Sequence, residues 1–230
     1  SYAPFDFLSI SAGVAFNFLQ ARMDVDAEYQ FLTLDPTQLR IDAVGTGSGI
    51  GFQAGIHASP TEDIDLAVNY FSSTQVTLTW DKKEDSVDLL PDEQRRDIPA
   101  MLTAGGAFRF LDDFEVSTSF TYYLNRQADW GENPEDQTPV LSAYRNGVEL
   151  GLSFQYIVNT DWVVSTGYSH TWSGATAESR NLLETALDAN AFTGGARYNI
   201  NDSLSVSAAM VAIFLIPGKS ADETVGYRAF

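Results

Sequence analysis

The sequence predicts an all-β fold, a transmembrane up-and-down antiparallel barrel, on three observations. Apolar residues alternate with polar ones along most of the 230-residue chain, at the period of two that a strand imposes. Short turns alternate with long polar loops, the rhythm of strands that cross a bilayer back and forth. No Asp, Glu, Lys or Arg falls at the central positions of the apolar face. A Lys or Arg there would cost about 2–4 kcal/mol at mid-bilayer, whereas the outer face of a soluble sandwich tolerates charge.

Composition agrees. The chain is 44% apolar with a mean hydropathy of -0.11, yet no window approaches the length of a spanning helix. A soluble, lipocalin-like barrel would turn the apolar face inward, and these Phe, Tyr and Trp rings would overfill its lumen. The absence of cysteine removes thiolate metal sites and disulfides. A net charge of -18 argues against nucleic acid, which needs clustered Lys and Arg. It suits acidic loops at a cell surface, bridged by divalent cations to outer-membrane lipid and lipopolysaccharide.

In order along the chain, Leu8, Ile10, Val14, Phe16 and Phe18 alternate first. The apolar parity then switches to Met23, Val25, Ala27, Tyr29 and Phe31, which predicts a tight turn at Gln20 and Ala21 and a hairpin. A connection through Pro36 and the glycine-rich run 45–51 leads to a strand with Ile50, Phe52 and Ile56 on its outer face. After the turn at 59–63 comes the most regular stretch, residues 64–80. Its even positions carry Ile64, Leu66, Val68, Tyr70, Val76, Leu78 and Trp80, and it reads as one overlong stave with Trp80 beyond the outer rim.

A charge-dense loop follows, then strands around Leu102 to Phe110 and Phe114 to Leu124 flanking a short turn. A second long loop precedes the pair centred on Leu152 and Val164. A third, whose 180–187 portion reads as a short helix, precedes the pair centred on Ala196 and Val206. A short final segment, 224–230, completes a count of eleven strands.

Several stretches together resemble the long-chain fatty acid transporters of Gram-negative outer membranes, the FadL-type family. Gly51, Gly55, Pro60, Tyr70 and Ser72 carry one motif; Pro99, Gly105 and Phe108 a second. Gly151, Phe154, Trp162, Gly167 and Tyr168 carry a third, lacking an arginine often found before its last glycine, and Gly195, Tyr198, Asn201 and Leu204 a fourth. The resemblance implies a fourteen-stranded barrel. On that basis residues 1–230 form a single outer-membrane barrel domain truncated at both ends, with three strands and a plug upstream of Ser1. It also implies passive uptake of a hydrophobic small molecule, with long-chain fatty acids first and aromatic hydrocarbons second, by a monomer. The alternative is a structural or adhesive barrel whose acidic loops bind surface partners.

Catalysis finds no support: His57 and His170 have no Ser and acid at a recognisable spacing, and no cofactor or metal is expected. Parity places His57 in the lumen near the short-turn rim and His170 on the lipid face near the long-loop rim. Arg22, Arg109 and Arg197 are expected in the lumen near the short-turn rim, with Asp65 and Glu115 at similar heights. Two roles follow for them: a bracing salt-bridge network, or a contact for a fatty acid carboxylate. Leu89 and Leu90, in the first charged loop, are a candidate capture element or the loop's own packing cluster.

Overall fold

The computed structural model describes residues 2–29, 37–82, 92–131, 144–177, 179, 187–201, 203–219 and 226–227. Twelve strands form one antiparallel sheet. They are β1 (Tyr2–Phe5), β2 (Leu8–Tyr29), β3 (Thr37–Thr61), β4 (Ile64–Phe71), β5 (Thr77–Lys82), β6 (Glu93–Arg95), β7 (Met101–Phe110), β8 (Phe114–Tyr123), β9 (Gly147–Ile157), β10 (Trp162–Trp172), β11 (Ala189–Asn201) and β12 (Leu204–Leu215). The sheet runs β1-β2-β3-β4-β7-β8-β9-β10-β11-β12, so sequential staves are neighbours, with β5 and β6 off this path. That is up-and-down order.

Cross-strand register keeps one apolar face continuous. Ile10 lies opposite Ile56, Leu102 opposite Tyr122, Phe120 opposite Leu150 and Trp162 opposite Tyr198. Most side chains of this face are exposed, Phe16 at 73% and Met210 at 75%, because it meets lipid rather than a protein core. The opposite face carries small or polar residues such as Ser11, Gly13, Gly55, Ser117, Ser119 and Gly151.

Aromatic rings mark the two bilayer surfaces. At the short-turn end Phe108, Phe110, Phe114 and Tyr156 stack in a row, and Trp162 packs on Tyr198. At the other end stand Tyr168, Trp172, Phe192 and Phe214. From Trp162 to Trp172 the strand rises about 25 Å, at about 3.3 Å per residue and a tilt of about 40°, the height of an apolar membrane band.

Four expectations are corrected. The turn at Gln20 and Ala21 does not exist: β2 is one strand of 22 residues, paired without a bulge along β3 from Leu8↔Ala58 to Tyr29↔Thr37. Its apolar parity switches because the strand leaves the bilayer near Phe18. Below that level the outer face meets lipid; above it Leu19 and Ala21 turn inward onto a protein core. The glycine-rich run 45–51 is strand within the 25-residue β3, not a connection.

The stretch 64–80 is also not one stave. It pairs with β3 in one register through Phe71, opposite Gln53, and resumes with Thr79 opposite Thr46, offset by one residue. That offset sends every following side chain to the other face, so Val76, Leu78 and Trp80 point inward and are buried.

Ten strands, not eleven, lie on the described path. Of the predicted last strand only Gly226 and Tyr227 are described, paired with Gly218 and Lys219 in a separate two-stranded ladder. The predicted helix at 180–187 falls almost wholly outside the described residues.

Candidate functional site

The inner face has two organised regions, a charged rim at the short-turn end and a packed cap at the long-loop end. The rim is built by parity. Asp65 sits one residue into β4, while Arg109 and Glu115 are directly paired across the β7–β8 turn. All three side chains therefore converge on the lumen side.

Arg109 Nη2 donates to Asp65 Oδ2 at 2.7 Å, its Nε to Glu115 Oε2 at 3.1 Å and its Nη1 to the Glu62 carbonyl at 2.8 Å. Ser59 Oγ donates to Asp65 Oδ1 at 2.5 Å, and His57 Nε2 lies 3.4 Å from the same oxygen. His57 is thus lumenal and near the short-turn rim, as parity placed it. With Arg109 half-exposed, these pairs orient the turns more than they stabilise them. The guanidinium is committed on three sides to its own wall.

The structure does not bring the three arginines together. Arg197 stands on β11, paired with Val163 and Ser207, exposed and without an ion-pair partner among the described residues. Arg22 is a correction. It lies in the middle of β2 opposite Val44, on the strand face that carries Phe16 and Phe18, with its side chain 66% exposed and 3.9 Å from Asp24. Its predicted place at the short-turn rim depended on the turn that is absent. Leu89 and Leu90 lie outside the described residues.

The cap begins where residues 74–77 fold inward across β3. β-Carbons on Gly47 and Gly49 would collide with the carbonyl oxygens of Thr77 and Gln75, and one on Gly45 would stand 3.0 Å from the ring of Trp80. The glycines at alternate positions are what let the chain approach so closely. Val76, Leu78, Trp80 and Ala43 form the buried cluster, with Leu19, Ala21 and Ile98 packed around it. The indole N–H of Trp80 is buried and has no hydrogen-bond acceptor among the described residues. Thr74 is tied to the wall by Asn17 Nδ2 at 3.0 Å and bridges Ile98.

Polar contacts join this hairpin to the other loops. Asp97 accepts from the Val76 and Asp129 amides, each at 3.2 Å, and from Arg95 Nε at 2.5 Å. The hydrogen bond to Asp97 raises the Arg95 pKa above its ordinary value. Arg96 donates to the Trp130 carbonyl at 3.1 Å, and burial lowers its pKa. Trp130 stacks on Tyr144 with ring centres 4.6 Å apart, and burial raises the Tyr144 phenol. Asn125 Nδ2 reaches the Ser173 carbonyl at 2.9 Å.

Segments from three long loops are thereby fastened into one body. In the sequence Val76, Leu78 and Trp80 read as part of a wall stave, and nothing there marks Asp97, Asn125, Trp130 or Tyr144. The available signal was the glycine spacing at 45, 47, 49 and 51, all of one parity. Among the described residues no group of three or more His, Cys, Asp or Glu could hold a metal.

No protein-family model matches the chain, and no curated protein matches it by sequence. Solved structures do match it. A Pseudomonas aeruginosa FadL homologue aligns with a TM-score of 0.68 at 17% identity, over 94% of this chain and 58% of that one. The Ralstonia pickettii toluene transporter TbuX aligns with a TM-score of 0.63 at 17% identity, over 94% and 60%. The P. putida toluene transporter TodX aligns with a TM-score of 0.58 at 15% identity, over 94% and 61%. The chain thus spans about three fifths of each of those proteins. At these identities the likeness is one of architecture: an up-and-down antiparallel β-barrel with one lipid-facing apolar surface, the fold of the FadL-type outer-membrane transporters.

Proposed function

We propose that the chain forms the larger part of an outer-membrane channel for passive uptake of hydrophobic small molecules, with long-chain fatty acids as the first candidate class. The observation that carries this reading is the pairing of a continuous lipid-facing surface with a lumenal face of small and polar residues. The shared fold supports it, since its neighbours include a FadL homologue and two toluene transporters.

Within the lumen Arg197 is the better contact for a carboxylate. Arg109 already faces Asp65 and Glu115, whereas Arg197 has no acidic partner among the described residues. A fatty acid would use that charge; toluene, with no anionic group, would not.

Uptake of a radiolabelled long-chain fatty acid and of toluene, by cells lacking their own transporter and expressing the protein, tests both levels. The expected result is accumulation of both, with Arg197→Gln lowering fatty acid uptake and sparing toluene. Accumulation of neither would overturn the channel. Equal uptake by the variant would overturn the role of Arg197.

A structural or adhesive barrel is the second reading. The packing of Val76, Leu78 and Trp80 across the long-loop end favours it, because a closed lumen needs such a cap.

A further inference from the structure

β12 departs from the alternation of the staves beside it. Residues 208–216 are apolar without interruption, and a strand with such a run is built to be covered on both faces. Its even positions belong to the lipid face, where Met210 and Phe214 lie opposite Gly194 and Asn190 of β11. Its odd positions therefore face the lumen, and there Val211, Ile213 and Leu215 are 57%, 63% and 43% exposed. No described residue covers them.

Register shows how local the feature is. Val211, Ile213 and Leu215 lie opposite Thr193, Ala191 and Ala189 of β11, and those in turn lie opposite Gly167, Ser169 and Thr171 of β10. Bulky apolar side chains thus line one edge of a trough whose floor is small or polar.

The trough has a cationic foot. Arg197 is two inward positions from Thr193, opposite Ser207, exposed and without an acidic partner among the described residues. Above it the inward apolar positions run from Ala209 to Leu215, a length of about 20 Å at about 3.3 Å per residue. The acyl chain of one leaflet fills about 15 Å, half the thickness of a hydrocarbon core. The strip is long enough for a whole long-chain tail.

We propose that a long-chain carboxylate lies along this strip, its head on Arg197 and its tail against Val211, Ile213 and Leu215, and that these three residues set the chain length the protein takes. The inference deepens the channel reading above and rests on it for the class of ligand. One cation at the foot of a single apolar strip matches a ligand with one anion and one tail. A neutral aromatic molecule would cover part of the strip and leave Arg197 unanswered.

The test is photolabelling of the full-length protein in nanodiscs with palmitate carrying a terminal diazirine, mapped residue by residue by mass spectrometry. Parity separates two sources of label: odd positions of β12 are reached from the lumen, even positions by probe dissolved in the bilayer. The methyl ester of the same probe has no anion and should label the even positions only. The acid should also label Val211, Ile213 or Leu215, and Arg197→Gln should lower that label about tenfold, the loss of one charge-assisted hydrogen bond.

Chain length gives the second readout. Competition by decanoate, myristate and palmitate, compared at equal free aqueous concentration, should tighten about fourfold per buried methylene. Ile213→Thr keeps a β-branched side chain suited to a strand, and in it the gain from myristate to palmitate should vanish while decanoate binds as before. An unchanged gain would overturn the role of Ile213 in setting length. Label confined to even positions, or odd-position label that is equally strong from the methyl ester or in Arg197→Gln, would overturn the site. Labelling needs no transport, so cells that accumulate no fatty acid while the strip is labelled would sink the channel reading alone.

Discussion

Trp80 lies across Gly45, its ring carbons 3.0 Å from where a β-carbon would stand. The contact joins the inward-folded segment to the wall strand, and it exists because Gly45 has no side chain. A large residue there must push the ring off the cluster formed with Val76 and Leu78. Gly45→Leu should destabilise the cap by about 1–3 kcal/mol, the usual cost of overpacking a filled site. Faster hydrogen exchange at 76–82, with the barrel still folded by circular dichroism, is the expected readout.

Asp97 is the polar counterpart of that contact. Asp97→Ala removes the acceptor for two backbone amides, those of Val76 and Asp129, and leaves Arg95 without its carboxylate. Leaving buried donors unsatisfied costs about 1–3 kcal/mol. Hydrogen exchange should rise together at 74–79, 93–98 and 125–131, while β8 to β10 stay protected.

Tyr144 gives the cap a pH limit at high pH. Burial raises its folded-state pKa, so its contribution is fully present below the unfolded value of about 10 and is lost as pH rises through the folded value. Between the two values the folded state holds the extra proton, which is why stability falls there. Tyr144→Phe should flatten the loss of cap protection between neutral and strongly alkaline pH. Limited proteolysis at both extremes would show this, and equal losses in the two proteins would refute it.

The lipid face admits a direct check. Val14 is 67% exposed and lies midway along the membrane part of β2. Val14→Arg should lower folding stability in phospholipid vesicles by about 2–4 kcal/mol. Asn17→Arg, on the lumenal side, should cost much less of that bilayer penalty, and urea titrations in vesicles compare the two.

The charged rim should behave differently from the cap. Arg109→Gln breaks its pairs with Asp65 and Glu115, but these are solvent-accessible and screened. The melting temperature should move little. Raising the salt concentration should shrink the difference between variant and wild type, whereas a difference independent of salt would show the network to be shielded from water.

Much of the fold was legible because a bilayer enforces alternation strictly. β7, β8, β9, β10, β11 and β12 lie where period-two parity placed them, as does the first half of the stretch 64–80, with His57 and Arg109 in the lumen and His170 outside. The imitated turn and the broken stave share one cause. Parity reports which side of a strand is apolar, not why, and the answer inverts where a strand leaves the membrane. At residues 19–23 that inversion imitates a turn. At Ser72 to Val76 a one-residue offset keeps the apolar residues on even positions while turning them from lipid to core. Arg22 was misplaced with the imitated turn, and the glycine run looked like a loop because glycine is depleted in ordinary strands.

The sequence by itself determined that the chain crosses a membrane with antiparallel strands, and which face of each spanning segment meets lipid. Both follow from local chemistry repeated at a fixed period. Only the tertiary structure decided that residues 74–80 fold inward over a glycine strip, that Asp97 gathers three segments, and that Arg109 is occupied while Arg197 has no acidic partner among the described residues. Those outcomes depend on residues far apart in the chain meeting at one height of the wall, and register between strands is set by pairing and packing together.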